Sequence, residues 1–142
     1  MREIMIVYWS GTGNTEEMAN EIAAGIEENG KKARLVEFAS ASKEEIEKSS
    51  VFAMGCPAMG AEVLEEGEAE PFVSSIESIV SGKKIGLFGS YGWGDGQWMR
   101  DWEERMKEAG AEIVGGEGVI AMEAPDEDAK VQCRMLGKQL AQ

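Results

Sequence analysis

Residues 4–15 read IMIVYWSGTGNT, and this stretch decides the fold. Its first five residues are continuously apolar, as expected for a strand that is buried on both faces of a parallel sheet. A loop of small polar residues and glycine follows, and Met18, Ile22 and Ile26 then recur at the spacing of a helix over residues 15–29. The stretch therefore predicts a strand, a tight loop and a helix in direct succession.

Apolar runs and amphipathic stretches alternate in the same way along the rest of the chain. Five βα units of this kind predict one α/β domain over residues 1–142, a three-layer doubly wound sandwich around a five-stranded parallel sheet. We expect Trp98 and Trp102 to lie in its core with partial exposure, because their spacing places them on one face of a helix. The predicted strands are 4–8, 33–38, 51–54, 84–89 and a fifth in two pieces, 112–114 and 119–122; the predicted helices are 15–29, 44–48, 70–81 with Pro71 in the first helical position, 97–109 and one that starts at Pro125.

The composition excludes several kinds of site. The 142 residues include no histidine, which rules out Ser-His-Asp and Cys-His catalysis, imidazole zinc sites and a haem with a histidine ligand. Cys56 and Cys133 stand alone in the sequence, so neither a cysteine-ligated cluster nor a redox disulfide motif is expected. The most apolar stretch, residues 51–61, contains Pro57 and is far shorter than the ~20 residues that span a membrane. We therefore expect a cytoplasmic protein without a membrane segment.

The chain is strongly acidic, with 27 Asp and Glu against 14 Lys and Arg and a formal net charge of -13. Nucleic acid and anionic membrane surfaces would be repelled by this charge. A partner protein with a basic surface is its natural complement. The alternative is that the charge serves only to keep the protein soluble.

In a doubly wound sheet, ligands bind beside the loops that leave the carboxyl ends of the strands. The first loop, Ser10 to Thr15, can curl at Gly11 and Gly13 so that backbone N–H groups and hydroxyls surround a phosphate at the helix N-terminus. It lacks the Gly-Lys-Ser/Thr ending of a Walker A loop, and Glu16 stands where a dinucleotide fingerprint has its third glycine. The sequence favours a phosphate cradle without a cation; the alternative is an ordinary turn with Ser, Thr and Asn as helix caps. The second loop, residues 56–62, and the third loop, residues 90–97, leave the same edge of the predicted sheet.

The second and third loops carry residues that suit a flat ring. In the second loop, Gly60 can take either sign of φ and Met59 could lie against a ring, while Glu62 could accept a hydrogen bond from a ring N–H. Such a turn is also common where no ligand binds. In the third loop, Trp93 stands between glycines, which favours a side chain that covers a ligand. The alternative is a structural plug that folds back over the end of the sheet.

Three segments carry a family resemblance: YWSGTGNT at 8–15, GCPAMG at 55–60 and LFGSYGWGDG at 87–96. They closely resemble the flavodoxins, in particular the short-chain type, and the likeness covers essentially the whole chain in the family's order. The long insertion that splits the fifth strand of long-chain members is missing, because only two glycines stand there, at 115–116. The sequence departs from the family pattern at Ala61, where close relatives have a polar residue.

The resemblance implies a strand order of 2-1-3-4-5 and one noncovalently bound FMN. The first loop would hold the phosphate, and Met59 and Trp93 would flank the two faces of the isoalloxazine ring. Gly60 would offer its carbonyl to flavin N5, and Glu62 would pair with ring N3–H, whereas the third loop would line the ring edge. The implied cofactor-binding residues are Trp9, Ser10, Gly11, Thr12, Gly13, Asn14, Thr15, Pro57, Ala58, Met59, Gly60, Glu62, Ser90, Tyr91, Gly92, Trp93, Gly94 and Asp95.

The function that the resemblance implies is low-potential transfer of single electrons between redox enzymes, mainly through the semiquinone and hydroquinone of FMN. We expect a monomer whose partners are of the ferredoxin-using type with basic docking surfaces, and neither a metal nor a catalytic residue. Five glutamates between residues 62 and 70 crowd one flank of the site, with no Lys or Arg near them in the sequence.

Two alternatives compete with the electron carrier. The first is an FMN-dependent quinone or NAD(P)H reductase of the same fold, against which stand the short chain and the lack of a basic site for a nicotinamide phosphate. The second is a flavin-free receiver domain. A receiver needs acidic groups at the ends of strands one and three, where this sequence has Trp9-Ser10 and Gly55-Cys56.

Overall fold

The computed structural model describes residues 3–60 and 62–142, so Ala61, where the sequence departs from the family pattern, lies outside the described residues. Strands and helices alternate along the chain as the sequence predicts. None of the helices in the described part of the chain is long and apolar enough to span a bilayer. The elements are β1 Glu3–Tyr8, α1 Asn14–Glu28, β2 Lys32–Glu37, a 3-10 turn Phe38–Ser40, α2 Lys43–Lys48, β3 Val51–Gly55, α3 Ala69–Ile76, β4 Lys84–Tyr91, α4 Gln97–Glu108, β5 Glu112–Ile113, β6 Val119–Met122 and α5 Glu127–Leu140.

The sheet is parallel and has the order β2-β1-β3-β4-β5, which confirms the predicted topology. The fifth strand is split as expected, because both β5 and β6 pair with β4. Between the two pieces, Gly115 and Gly116 have φ angles of 82° and 87°, which residues with a Cβ rarely adopt.

The central strands are buried on both faces, as their apolar sequences require. Along β1, Ile4 and Ile6 pack in a core that contains α1 and α5. The alternate residues, Met5 and Val7, pack in a second core beneath α2, α3 and α4. This alternation produces the three layers and leaves the carboxyl ends of the strands free to carry the loops.

Three details of the predicted elements are wrong. Trp98 and Trp102 are only 2% and 1% exposed, because α4 packs both indoles into the second core. Helix α3 begins two residues before Pro71 and ends at Ile76, so the proline is its third residue. At that position proline is still tolerated, because the N–H that it lacks would have no carbonyl partner within the helix. Helix α5 begins two residues after Pro125, because the carboxylate of Asp126 caps it by accepting the Ala129 N–H at 2.9 Å.

Helices α1 and α5 touch through their backbones. A Cβ on Gly25 would lie 2.0 Å from the carbonyl oxygen of Arg134, and a Cβ on Gly137 would lie 2.1 Å from that of Ile22. Glycine within a helix costs about 1 kcal/mol relative to alanine. At both positions glycine is required, because any side chain would push the helices apart.

We predict that Gly25→Ala lowers the free energy of unfolding of the apoprotein by about 1–3 kcal/mol, the usual cost of overpacking, although alanine is the better helix former. Urea unfolding followed by circular dichroism measures the change. Asn20→Ala, at an exposed position of the same helix, is the matched control and should be neutral or slightly stabilising. An unchanged stability of Gly25→Ala would show that the two helices separate without cost.

Candidate functional site

The carboxyl edge of the sheet opens into a cleft of about 380 Å³. All three loops singled out in the sequence contribute to its wall, and so does one residue beyond β6 that the sequence did not point to, Glu123. Its backbone has a φ of 56°, and its N–H donates to the Tyr91 carbonyl oxygen at 2.7 Å. The lining residues are Trp9, Gly11, Thr12, Asn14, Pro57, Ala58, Met59, Ser90, Tyr91, Gly92 and Glu123.

The other predicted site residues lie on the same loops but outside this lining. In the first loop each of them is next to a lining residue in the chain, and in the second and third loops they follow the residues that line the cleft. The loops therefore bring the predicted set to one edge of the sheet, with only part of it in contact with the cleft. The residues outside the lining are Ser10, Gly13, Thr15, Gly60, Glu62, Trp93, Gly94 and Asp95.

The first loop turns tightly into α1. Gly13 stands at the N-cap with a φ of 95°, which a residue with a Cβ rarely adopts. The Ser10 hydroxyl oxygen accepts the N–H of Gly13 at 3.0 Å and that of Glu16 at 3.4 Å. The first turn of a helix leaves amide groups without helical partners. The loop thus gathers neutral hydroxyl and amide groups around the positive end of a helix, the chemistry that an anion requires.

The first and third loops are joined by a buried pair of hydroxyl groups. Thr15 is 1% exposed, and its Oγ1 lies 3.1 Å from the Oγ of Ser90. The N–H of Ser90 also points to Thr15 Oγ1, at 3.4 Å. The hydroxyl of Thr15 is therefore engaged between loops, whereas Thr12 lines the cleft and its hydroxyl oxygen accepts the Asn14 N–H at 3.4 Å.

The second loop is a narrow hairpin. Met59 and Val63 exchange two backbone hydrogen bonds, of 2.9 and 3.0 Å. Between them, Gly60 and Glu62 have positive φ angles of 47° and 56°. The N–H of Ala58 donates to the Ser90 carbonyl oxygen at 3.0 Å, which ties the hairpin to the third loop. Met59 is thereby held in the wall of the cleft.

The base of the second loop is anchored by Trp98. Its indole N–H donates to the Cys56 carbonyl oxygen at 3.0 Å, and its ring lies 5.5 Å from the ring of Tyr91. The sequence did not reveal this role, because helical spacing alone accounts for a buried tryptophan at this position. Burial raises the pKa of the Cys56 thiol to about 12, so the thiol stays protonated and has no nucleophilic role at neutral pH.

Glu65 holds the end of the second loop against α3. Its carboxylate accepts the N–H groups of Gly67 at 2.7 Å, Glu68 at 2.7 Å and Ala69 at 3.0 Å. Partial burial by itself would raise the pKa of Glu65, but the three backbone donors outweigh it and hold the pKa below its ordinary value. The sequence showed only an acidic cluster here; the structure shows that one member caps a helix.

A second contact crosses from the first loop to this acidic segment. The indole N–H of Trp9 donates to the carboxylate of Glu68 at 2.9 Å. The same ring covers Gly11, where an added Cβ would lie 3.1 Å from it. Trp9 thus forms part of the cleft wall, and the hydrogen bond to Glu68 fixes the position of its indole ring.

The acidic flank is not free of positive charge, contrary to the expectation from the sequence. Arg105 of α4 reaches both carboxylate oxygens of Glu70, at 2.8 and 2.6 Å, and also binds Glu77. The hydrogen bonds from Arg105 hold the pKa of Glu70 below its ordinary value. One of the five glutamates is therefore paired across the α3–α4 groove.

The third loop presents Trp93 to solvent. Its side chain is 61% exposed, so it does not fold back as a plug over the sheet. Asp95 forms an ion pair with Arg100 at 3.1 Å, which fixes the loop to α4. The exposed indole is a large apolar surface on the residue that follows Gly92 of the cleft wall, and such a surface is typical of a ring that covers a ligand.

Comparison with known proteins gives consistent results. A family model described as Flavodoxin matches residues 6–137. The chain is 51% identical over 136 residues to a flavodoxin of Clostridium beijerinckii, covering 96% of this chain and 97% of that one. It is 44% identical over 138 residues to a flavodoxin of Megasphaera elsdenii, covering 97% and 98%. The solution structure of two-electron reduced Megasphaera elsdenii flavodoxin matches with a TM-score of 0.89 at 43% identity, covering 97% of this chain and 98% of that one.

We predict that Glu65→Gln destabilises the apoprotein by about 1 kcal/mol at neutral pH, the usual worth of a helix cap. Because the folded-state pKa of Glu65 is lowered, its contribution is present above the unfolded-state pKa of about 4.3 and is lost as the pH falls through the folded value. The difference in unfolding free energy between parent and variant should therefore shrink below about pH 4. Glu66→Gln, at an exposed neighbour, is the control. An equal difference at all pH values would contradict the capping role.

Proposed function

Because this chain belongs to the flavodoxin family, we propose that it carries single electrons between redox enzymes by means of FMN bound between its three loops. Flavodoxins are FMN-binding electron-transfer proteins rather than enzymes, so the reductase alternative is not favoured. FMN supplies the one-electron chemistry, and the protein binds, orients and tunes it. The observation that carries the assignment of the site is the cleft at the carboxyl ends of the strands, which has residues of all three loops in its wall.

The residues of the first loop fit a phosphate group. Gly13 leaves open space where a Cβ would stand, and Thr12, which carries a hydroxyl, lines the cleft. Neither Lys nor Arg occurs between residues 10 and 15, so binding would rely on backbone amides, hydroxyl groups and the helix N-terminus. We assign Ser10, Gly11, Thr12, Gly13, Asn14 and Thr15 to the phosphate, with Thr15 contributing through its backbone since its hydroxyl is paired with Ser90.

The second and third loops suit the isoalloxazine ring. Met59 lies in the cleft wall, and Trp93 is largely exposed and directly follows Gly92 of that wall, so we assign the two side chains to opposite faces of a flat ring. Gly60, at a φ of 47°, can turn its carbonyl toward flavin N5 without a Cβ clash. We assign Glu62, which lies in the second loop outside the cleft lining, to accept from ring N3–H. The remaining lining residues of these loops would enclose the ring edge: Pro57, Ala58, Ser90, Tyr91 and Gly92, followed by Gly94 and Asp95.

The acidic surface supports a partner with a basic docking face. Glu66 and Glu68 are exposed next to the second loop, and Glu123 stands in the cleft wall, so negative charge surrounds the proposed exit for electrons. Complementary charge speeds encounter and sets orientation more than it raises affinity. We propose a cytoplasmic monomer that docks transiently on redox enzymes of the ferredoxin-using type and does not bind nucleic acid or membranes.

We predict that the apoprotein binds one FMN per chain and prefers it to riboflavin, since the phosphate contributes through the first loop. Thr12→Val should weaken FMN binding by about 1.5–3 kcal/mol, the worth of a hydrogen bond to a charged group. Riboflavin affinity should stay unchanged and so serves as the internal control. Fluorescence titration of both flavins measures this. Equal affinities of the parent for FMN and riboflavin would refute the phosphate assignment.

We predict that Glu66→Gln with Glu68→Gln raises the more negative one-electron potential of bound FMN. A charge at ~12 Å acts with roughly 0.3–0.7 kcal/mol at an effective dielectric of ~40–80, so two charges give roughly 25–60 mV. The shift should shrink at high salt, and electron exchange with a basic partner should slow. A glutamine at 68 keeps an oxygen for the Trp9 indole. Glu47→Gln with Glu112→Gln, at the opposite edge of the sheet, is the matched control. Equal effects of both pairs would mean that the acidic flank has no special role.

A further inference from the structure

Glu62 is held in an unfavourable backbone conformation. With a φ of 56° it is one of two non-glycine residues in the described part of the chain that have a positive φ, the other being Glu123. Such a conformation costs a residue with a Cβ about 1–2 kcal/mol and persists only where surrounding contacts impose it. Two contacts from the third loop and the start of α4 fix Glu62.

The first such contact comes from the start of α4. The backbone N–H of Gln97 donates to Glu62 Oε1 at 3.0 Å, joining residues that are 35 positions apart. Gln97 is the first residue of the helix, so the carboxylate also lies at the positive end of the helix dipole. One oxygen of Glu62 is thus fixed by a backbone group, which a change of side chain at Gln97 would not remove.

The second contact is a space that only glycine provides. Gly94 has a φ of 86°, and a Cβ there would lie 2.7 Å from Glu62 Cδ and 2.8 and 2.9 Å from its two oxygens. Real Cβ atoms essentially never approach other atoms so closely. Gly94 therefore lets the carboxylate pass next to the backbone that follows Trp93, the residue we assign to the ring.

We propose that the Gln97 amide and the bare Cα of Gly94 position the Glu62 carboxylate for recognition of the flavin N3–H edge. This inference rests on the proposed function, in which Glu62 accepts from N3–H, and adds the residues that aim it. With Oε1 held by Gln97, Oε2 is the oxygen presented to the ring. A site built around an N–H donor rejects a ligand that lacks it, because the acceptor is then left without a partner.

The contrasting explanation is that Glu62 is only a cap for α4. Capping would require the contact with the Gln97 N–H, but it would not make binding depend on an N–H group at position 3 of the flavin. The probe that separates the two explanations is 3-methyl-FMN, in which the N3 proton is replaced by a methyl group while the phosphate and the faces of the ring are unchanged. The quantity to compare is the ratio of its dissociation constant to that of FMN.

The experiment measures this ratio for the parent, Gly94→Ala, Gly96→Ala and Glu62→Ala by fluorescence titration. We expect the parent to prefer FMN at least tenfold. Gly94→Ala should reduce this preference severalfold, because the methyl group displaces the carboxylate. Gly96→Ala is the matched control: Gly96 has a similar φ of 91° in the same loop, but its added Cβ would meet Ile120 and not Glu62. It should keep the parental ratio even if both affinities fall.

Extra bulk at residue 94 cannot make room for the methyl group, so a lowered ratio in Gly94→Ala reports a misplaced acceptor and not a larger cavity. A second readout is the proton shift of N3–H in nitrogen-15-labelled FMN bound to each protein. It should lie downfield in the parent and in Gly96→Ala, and move upfield in Gly94→Ala and Glu62→Ala. This readout needs no analogue and still tests the parent against Glu62→Ala if Gly94→Ala does not fold.

The outcomes distinguish the inference from the proposed function. If Glu62→Ala lowers the ratio and Gly94→Ala, although folded and binding FMN, keeps the parental ratio and shift, the positioning role is overturned while the pairing of Glu62 stands. If Glu62→Ala leaves both readouts unchanged, both the pairing and the inference fall. If the parent does not bind FMN, the proposed function itself is refuted.

Discussion

The parallel register of β1, β3 and β4 is the constraint on which the site depends. Tyr8 pairs with Gly55, and Gly55 with Phe88, so β1 and β3 end at the same level and β4 continues beside them to Tyr91. The loops that follow therefore start side by side, close enough for direct bonds between Thr15 and Ser90. Hydrogen bonds of this kind join the three loops into a continuous wall of the cleft. The shape of the cleft therefore depends on the register of the strands in the sheet.

The local pattern of apolar and polar residues predicted the sheet, the existence of its helices and the loops at its carboxyl edge. Burial of a strand on both faces and the spacing of a helix can both be recognised from residues that are close together in the sequence. The resemblance then implied the strand order that the structure confirms. What escaped prediction depends on pairs that are distant in sequence: Trp98 bonds to residue 56, and Gln97 to residue 62. The full burial of Trp98 belongs to the same class, since only the packed sheet determines it.

The acidic segment after β3, residues 62–70, has structural roles that cannot be recognised from its composition. Glu65 caps α3, Glu68 accepts from the indole of Trp9, and Glu70 is paired with Arg105. Of its five glutamates, these three and Glu62, which accepts from the Gln97 N–H, are tied to particular donors, whereas Glu66 lies exposed to solvent. Net charge alone would treat all of them as equivalent, yet their removal should have different physical effects, on stability in one case and on long-range potential in another.

The close contact between α1 and α5 at Gly25 and Gly137 affects the order in which the protein can fold during its synthesis. Ribosomes release the segment of α1 long before that of α5, and a helix whose covering partner is missing keeps apolar surface exposed to water. Ile22 and Ile26 of α1 share their core with Leu136 and Leu140 of α5, so the layer that the two helices form over the sheet stays incomplete until the last helix emerges. The first loop, which leads directly into α1, would mature late, and cofactor capture would then follow synthesis instead of accompanying it.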